Sequence, residues 1–137
     1  MITFNYETEF EISNESILEN WIDTIISNND CETGELNFIF CDDEYLYKLN
    51  VEFLNHDTFT DVISFDNTLG KLISGDIFIS VERVRENAKE YNATFDDELH
   101  RVLIHGVLHL LGFKDKSPED EKMMRSQEND ALSFLNN

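Results

Sequence analysis

Two histidines four residues apart, His105 and His109, lie inside an otherwise apolar segment. In a helix, residues at this spacing share one face, about one turn apart, so their imidazole rings come close together. Gly112 follows, and because glycine readily adopts a left-handed conformation, the helix can end there and the chain can turn back. The next side chain able to bind a metal ion is that of Asp115. The spacing therefore predicts a metal site formed by His105, His109 and Asp115, with an open fourth position.

The residues around the two histidines are apolar on every side of the predicted helix, which is typical of a helix buried in a core. They are Val102, Leu103, Ile104, Val107, Leu108, Leu110 and Leu111. A buried imidazole needs a partner, so two hydrogen-bonded core histidines are the alternative to a metal site. The pair followed by Gly112 and Asp115 favours the metal site. His100 is five residues before His105 and faces away from the predicted ligands, so we do not expect it to bind.

The elements that position this helix are predicted from apolar periodicity and capping residues. Strands are predicted at residues 2–6, 36–41, 61–65 and 75–80. Helices are predicted from Asn14 to 28, from 42–43 to about 53, from Ser80 to about 92, from about 95 to 111, and from Ser117 onward. The second helix is expected to turn Tyr45, Leu46, Leu49 and Phe53 inward. This order indicates an α+β fold, a small four-stranded mixed sheet packed with about five helices.

Length and composition fit one domain over residues 1–137. Apolar residues make up 41% of the chain, Pro118 is the only proline, and no repeat or linker-like stretch interrupts the sequence. No apolar run approaches the length of a membrane span and no signal peptide opens the chain, so we expect a cytoplasmic protein that does not enter a membrane. Cys31 and Cys41 lie outside any C-x-x-C pattern, which favours free thiols.

The charge is strongly negative and unevenly distributed. The net charge is −19, and the first 70 residues contain sixteen acidic side chains against one basic side chain, Lys48. The remaining residues contain thirteen acidic and nine basic side chains. Such a field disfavours binding to naked nucleic acid unless basic residues converge near a site. A solvated surface is the simpler interpretation of the acidic half, and a face for a basic ribosomal protein or assembly factor is the functional one.

Three segments resemble motifs of one known family, the YbeY proteins, metal-dependent endoribonucleases of bacterial rRNA maturation. The segment from His105 to Asp115 is similar to their H-G-x-L-H-L-x-G-[YF]-D-H motif. Residues 60–65, T-D-V-I-S-F, resemble T-[DN]-V-L-S-F, and residues 75–77, G-D-I, resemble G-D-[IL], in the same order along the chain. The resemblance covers about residues 49–121 and suggests that residues 1–137 form one YbeY-like endoribonuclease domain.

The resemblance implies a single-strand-specific endoribonuclease that matures the 3′ end of 16S rRNA and takes part in ribosome quality control. It implies rRNA within ribosomal particles as the partner. It also implies one zinc ion per chain on three histidines, of which His105 and His109 are present here and the third falls on Asp115. A carboxylate is a competent zinc ligand, although this ligand set also accepts nickel, cobalt or iron.

The exchange of histidine for Asp115 changes the expected chemistry. Three neutral histidines leave a formal charge of +2 on zinc, whereas one aspartate lowers it to +1, so bound water should be less acidic. We therefore expect a higher pH optimum than in three-histidine relatives.

A second departure concerns the phosphate. The family usually has an arginine where this chain has Leu54, so a bidentate phosphate clamp is missing. His56, two residues on, is a candidate replacement donor, although an ordinary loop histidine is the simpler interpretation. Arg83, Arg85 and Arg101 are further candidates, although solvated helix surfaces are the simpler interpretation for these three. Ser64, on a strand near the metal by analogy with the family, is a candidate to orient water or phosphate, or is a structural strand residue. Asp61 and Asp76 are expected to satisfy turns and strand ends, and no general base is assigned.

Two alternatives remain. The pattern H-x-x-x-H-x-x-G-x-x-[HD] also resembles the zinc-binding helix of zincin peptidases, so the metal helix is zincin-like. Those enzymes need a glutamate directly after the first histidine as general base, and Gly106 occupies that place. A zinc metallopeptidase is therefore disfavoured. The other alternative is a non-catalytic, metal-stabilised ribosome assembly factor, which the negative charge favours.

Overall fold

The fold is described from a computed structural model covering residues 1–55 and 60–135. Its elements follow one another as β1 (Ile2–Tyr6), α1 (Glu15–Asn28), β2 (Glu32–Cys41), α2 (Asp43–Leu54), β3 (Val62–Asp66), β4 (Leu72–Ser80), α3 (Val81–Glu90), α4 (Phe95–Leu110) and α5 (Pro118–Leu135). The order is the one predicted, and the α+β fold with four strands and five helices is confirmed for the described residues.

The sheet is mixed, with strand order β1-β2-β4-β3. β1 and β4 both run parallel to β2, while β3 pairs antiparallel with β4 and forms one edge. In the β3 and β4 pair, Ser64 lies opposite Ile77. The edge strand β3 thus brings the T-D-V-I-S-F segment to the side of the sheet where α4 packs.

The core lies between the sheet and the helices α1 and α4. Its fully buried side chains include Phe38, Phe40, Ile77, Leu103 and Ile104. α4 begins with a cap, since the Thr94 side chain accepts a hydrogen bond from the backbone N–H of Asp97, as predicted. Burying α4 on all sides fixes the position of both histidines relative to the sheet.

α5 packs across α4 and closes the site from the other side. It begins at Pro118, and the Ser117 hydroxyl accepts a hydrogen bond from the Asp120 backbone N–H. Met124 and Ala131 are buried, and the indole N–H of Trp21 in α1 donates to the Ala131 carbonyl at 2.8 Å. These contacts fix the face of α5 that is turned toward α4.

The structure corrects some details of the prediction. β2 starts four residues earlier than expected, and β4 three residues earlier. Tyr45 and Phe53 of α2 are 39% and 59% exposed, so the prediction that both turn inward is wrong. The Tyr45 ring stacks on Phe78, and the Phe53 ring contacts Phe65 edge-on. Both sheet residues are partly exposed, because α2 covers its end of the sheet incompletely. Leu46 is fully buried and Leu49 partly buried, as expected.

Within the described residues, no helix is both long and apolar enough to cross a membrane. Cys31 and Cys41 are both free thiols, as predicted. Burial of Cys41 raises its pKa to about 12, which makes this thiol unreactive at neutral pH.

Candidate metal centre

The end of α4 delivers the third candidate ligand. Gly112 adopts a left-handed conformation with φ of 105°, as its position predicted. The backbone N–H of Phe113 bonds back to the Leu108 carbonyl at 3.0 Å, and that of Gly112 to the His109 carbonyl at 3.0 Å. This bonding pattern ends the helix and turns the chain, so that Asp115 returns to the histidines.

Three ligand atoms converge at this point. The Nε2 atoms of His105 and His109 lie 3.0 Å apart. Asp115 Oδ2 lies 3.4 Å from the first of these atoms and 3.3 Å from the second. Among the described residues, these three side chains form the group of histidine, cysteine or carboxylate ligands that could hold a metal ion.

The spacing of the three atoms suits tetrahedral coordination. Ligand atoms about 2.0–2.1 Å from a tetrahedral zinc ion are about 3.3 Å from one another. Two neutral nitrogens and one carboxylate oxygen also provide a donor set that binds divalent transition metals. The residues present therefore fit a single metal ion with one coordination position left for water or substrate.

Each imidazole is held by its other ring nitrogen. His105 Nδ1 is 2.7 Å from Glu128 Oε2 of α5, and His109 Nδ1 is 3.0 Å from the Phe113 carbonyl oxygen. Both partners accept a hydrogen bond, so both rings carry their proton on Nδ1 and turn the lone pair of Nε2 toward the shared point. Such outer contacts orient the histidine ligands of metal sites.

Glu128 is itself fixed by a second partner. The carboxylate is buried, with a relative side-chain exposure of 7%, and its Oε1 accepts a 2.8 Å hydrogen bond from Arg101 Nη1 of α4. Burial disfavours its charged form, but the bonds from His105 and Arg101 outweigh this effect and lower the pKa of Glu128. Glu128 is therefore ionised beside the candidate metal centre.

The same contact acts on His105. Burial lowers the pKa of the ring, but the hydrogen bond to Glu128, together with the charges of Glu128, Asp115 and Asp61, raises the pKa above its ordinary value. The metal-free site therefore holds a proton at His105 more strongly than a free histidine does. In the charged ring this second proton is on Nε2, so a metal ion must displace it to bind.

A cavity of about 730 Å³ opens onto the three candidate ligands. Its lining includes Ser64 of β3 and Leu54 of α2. It also includes Asp61, whose carboxylate accepts a 3.1 Å hydrogen bond from Asn87 Nδ2. Burial raises the pKa of Asp61, although the charge of His105 and the Asn87 bond partly offset this effect. The cavity thus gathers the T-D-V-I-S-F segment and the metal helix at one place.

Gly106 packs against the sheet rather than into the cavity. A Cβ atom at this position would lie 2.9 Å from Ile77 Cγ2 and 3.4 Å from Ser64 Oγ. The missing side chain is what lets α4 approach β4 and β3 so closely. A glutamate at this place, which peptidase chemistry would need, has no room without a shift of the helix or the sheet.

Several predicted candidates lie elsewhere. Arg83 is bonded to Asp43 at 2.6 Å, and the guanidinium of Arg85 lies 5.4 Å from the Phe95 ring centroid. Arg101 is engaged by Glu128, and it also donates to Asn129. His56 lies outside the described residues. Arg83 and Arg101 are therefore engaged by carboxylates, and Arg85 does not line the cavities at the candidate ligands.

Two further residues behave as expected. His100 packs its ring against Trp21, at 6.1 Å between centroids, and burial lowers its pKa. It takes no part in the cluster, as predicted. Asp76 Oδ1 accepts a 2.9 Å hydrogen bond from Asn37 Nδ2 of the neighbouring strand, which agrees with the structural role expected of it.

Glu128 is the residue of the centre that the sequence did not indicate. It lies 23 positions after His105, in a helix rich in acidic residues, and its type alone does not separate it from solvated neighbours. The one indication in the sequence was its helical spacing, since it lies four residues after Met124 and three before Ala131 and so shares a face with both. These three residues form the buried stripe of α5, and an acidic residue on such a stripe needs a buried partner.

Comparison with known proteins matches the chain to one family over nearly its whole length. The family model described as Endoribonuclease YbeY matches residues 2–136. Endoribonuclease YbeY of Flavobacterium johnsoniae is 56% identical over 135 residues, which cover 98% of this chain and 97% of that protein. Endoribonuclease YbeY of Christiangramia forsetii is 51% identical over 134 residues, covering 98% and 94% of the two chains.

The fold has a counterpart among solved structures. The solution structure of a Thermotoga maritima protein superposes with a TM-score of 0.68 at 28% sequence identity. The match covers 98% of this chain and 89% of that protein. The mixed sheet and five-helix arrangement is therefore shared across a large sequence distance.

Proposed function

The chain belongs to the YbeY family of endoribonucleases, and from this premise we propose that it cleaves single-stranded RNA with one divalent metal ion held by His105, His109 and Asp115. The observation that carries the proposal is the convergence of two imidazole nitrogens and one carboxylate oxygen, 3.0–3.4 Å apart, at the floor of an open cavity. That cavity gives an extended RNA strand access to the metal ligands.

In this proposal the chain's own residues hold the metal ion, orient the ligand rings and position water or phosphate. Nε2 of His105, Nε2 of His109 and Oδ2 of Asp115 would hold the ion, while Glu128 and the Phe113 carbonyl keep both rings in the required orientation. A bound divalent metal supplies Lewis-acid chemistry, which activates water and withdraws charge from a phosphodiester. Ser64 lines the same cavity, where its hydroxyl would orient water or a phosphate oxygen.

We propose zinc as the metal. Three protein ligands with a fourth position open is the usual form of a catalytic zinc site, and the atom spacing suits zinc bond lengths. Nickel or another divalent transition metal satisfies the same ligands. Metal analysis of the purified protein distinguishes these ions.

We further propose that the substrate is the 3′ end of 16S rRNA within ribosomal particles, and that the protein takes part in ribosome quality control in the cytoplasm. The net charge of −19 supports this setting, because a strongly acidic protein binds free RNA poorly. A basic ribosomal protein or assembly factor that meets the acidic surface would bring the RNA to the site.

The test compares the zinc-loaded protein with its His109→Ala variant on a structured rRNA fragment and on casein. Cleavage of the RNA that is lost in the variant supports the proposal. Cleavage of casein would instead support a peptidase, which Gly106 disfavours because it supplies no base and its place has no room for one. Cleavage of neither substrate by a metal-loaded protein would leave the non-catalytic assembly factor, which the acidic charge favours.

A further inference from the structure

The cavity at the candidate metal centre is continued by two neighbouring cavities. One has a volume of about 410 Å³ and the other about 300 Å³. His105 and Asp115 line both of these and also the cavity of about 730 Å³. The three cavities therefore adjoin at the candidate ligands, and together we call them the metal groove.

Basic side chains of the metal groove come mainly from the start of α5 and the turn before it. Lys116 lines the largest cavity, Lys122 and Arg125 line the second, and Arg125 also lines the third. Lys122 and Arg125 are three residues apart in the helix and so lie on neighbouring positions of one face.

In the described residues, two of these three cations form no ion pair and the third is only weakly paired. In the part of the chain that the structure describes, Lys116 and Lys122 form no ion pair. Arg125 approaches Glu128 only to 4.0 Å, and its side chain is 63% exposed. By contrast, Arg101, the other basic residue of the groove, is bonded to Glu128 and Asn129.

Some acidic residues of the metal groove already have a cationic partner or a candidate role as metal ligand. Asp115 is a candidate metal ligand, and the charge of Glu128 is matched by Arg101 and His105. Glu121 lies exposed in the cavity of Lys122 and Arg125, while Asp61, Asp66 and Glu98 line the other cavities. Attraction of RNA must therefore come from close contacts with the cations rather than from the general field.

We propose that Lys122 and Arg125 bind phosphate groups of the RNA strand beside the candidate metal centre. Ammonium and guanidinium groups are the usual phosphate partners of RNA-binding proteins. The proposal rests on the proposed function, and it names the phosphate contacts that the bound arginines Arg83 and Arg101 cannot provide.

The test uses the double variant Lys122→Ala with Arg125→Ala. The matched control, Lys71→Ala with Lys89→Ala, removes the same charge from side chains that do not line the groove. Lys116 stays unchanged, because it adjoins Asp115. Binding of a fluorescent single-stranded RNA to metal-free protein is measured by anisotropy at several salt concentrations, and kcat and KM are measured on zinc-loaded protein.

We expect the groove variant to bind about tenfold more weakly and to raise KM with little change in kcat. The slope of log Kd against log salt concentration should fall by about 1.4, or about 0.7 for each lost phosphate contact. The control should show neither change. Equal losses in both variants, or no loss in either, would overturn the phosphate contacts. A wild-type protein that binds RNA in this pattern but never cleaves it would overturn the proposed function alone.

Discussion

Glu128 Oε2 lies 2.7 Å from His105 Nδ1, so a buried carboxylate of α5 holds the ring of a candidate metal ligand on α4. The other oxygen of Glu128 accepts from Arg101, which lies one helical turn before His105 on the same helix. The carboxylate is thus anchored to the helix whose histidine it orients. This link makes the docking of α5 part of the candidate metal centre.

The first prediction concerns the affinity of this centre for zinc. In Glu128→Gln the side-chain carbonyl still accepts from Nδ1, but the negative charge that increases the basicity of the ring is lost. We expect zinc affinity to fall at least about tenfold, since loss of an outer-shell partner typically costs 10- to 100-fold. Competition with a chromophoric chelator measures the affinity.

Asn129→Ala is the matched control, because it removes the other partner of Arg101 without touching His105. Its zinc affinity should stay within about twofold of the wild type. Equal affinity of Glu128→Gln and wild type would show that the charge of Glu128 does not strengthen zinc binding at His105.

The second prediction concerns the pH dependence of stability in the metal-free protein. The raised pKa of His105 stabilises the fold below the ordinary histidine value of 6.5 and this effect is lost as pH rises through the raised pKa. The lowered pKa of Glu128 stabilises above the ordinary value of 4.5 and this effect is lost as pH falls through the lowered pKa. Both contributions are present between these two ordinary values.

Thermal unfolding with chelator present tests this window. The Tm difference between wild type and Glu128→Gln should be larger at pH 6 than at pH 9, by about 3 °C. Asp61 and His100 also have shifted pKa values, but Glu128 is not among the causes of their shifts, so their titrations cancel in the difference. Glu98 is the exception, because the charge of Glu128 is one cause of its raised pKa. A Tm difference that does not change with pH would contradict the assigned charges of the pair.

Local sequence patterns were enough to predict the helices, the strands and the ends of two helices. The order of helices and strands followed from apolar periodicity, and the caps of α4 and α5 followed from Thr94 and Ser117. Spacing of four in a helix and the left-handed Gly112 were enough to predict that His105, His109 and Asp115 meet. These are short-range features, set within a few residues of chain.

Features that depend on packing between distant segments could not be predicted in the same way. The role of Glu128 depends on how α5 docks on α4, and the exposure of Phe53 depends on how far α2 covers the sheet. Arg83 and Arg101 were phosphate candidates by residue type alone, and only the fold shows the carboxylates that engage them. The structure also shows that Gly106 is needed for the close packing of α4 on the sheet. This role adds to the absence of a side chain that could act as a base.

The third prediction concerns this packing. Gly106→Ala gains about 1 kcal/mol of helix propensity but places a methyl group 2.9 Å from Ile77 Cγ2. Overpacking of a core typically costs about 1–3 kcal/mol, so we expect a net loss of about 1 kcal/mol in the free energy of unfolding, measured with urea. Ser126→Ala, at an exposed position of α5, should change stability by less than about 0.5 kcal/mol. A Gly106→Ala protein more stable than wild type would show that the space between α4 and the sheet accommodates a methyl group at this position.

The fourth prediction concerns the carboxylate among the candidate ligands. Asp115 leaves one positive charge less at the site than a third histidine would, which should make water at the site less acidic. We therefore expect the RNA cleavage rate of wild type to peak at higher pH than that of Asp115→His, with both proteins fully loaded with the same metal. An unchanged or higher pH profile in the variant would count against this account.

The most direct test of the metal centre is a titration of metal-free protein with zinc, with cleavage of a single-stranded rRNA fragment as the readout. We expect activity to be absent at the start, to rise in proportion to added zinc and to level off at about one ion per chain, while His105→Ala and His109→Ala stay inactive throughout. Full activity in the chelator-treated wild type, or activity in either variant that matches the wild type, would contradict this expectation.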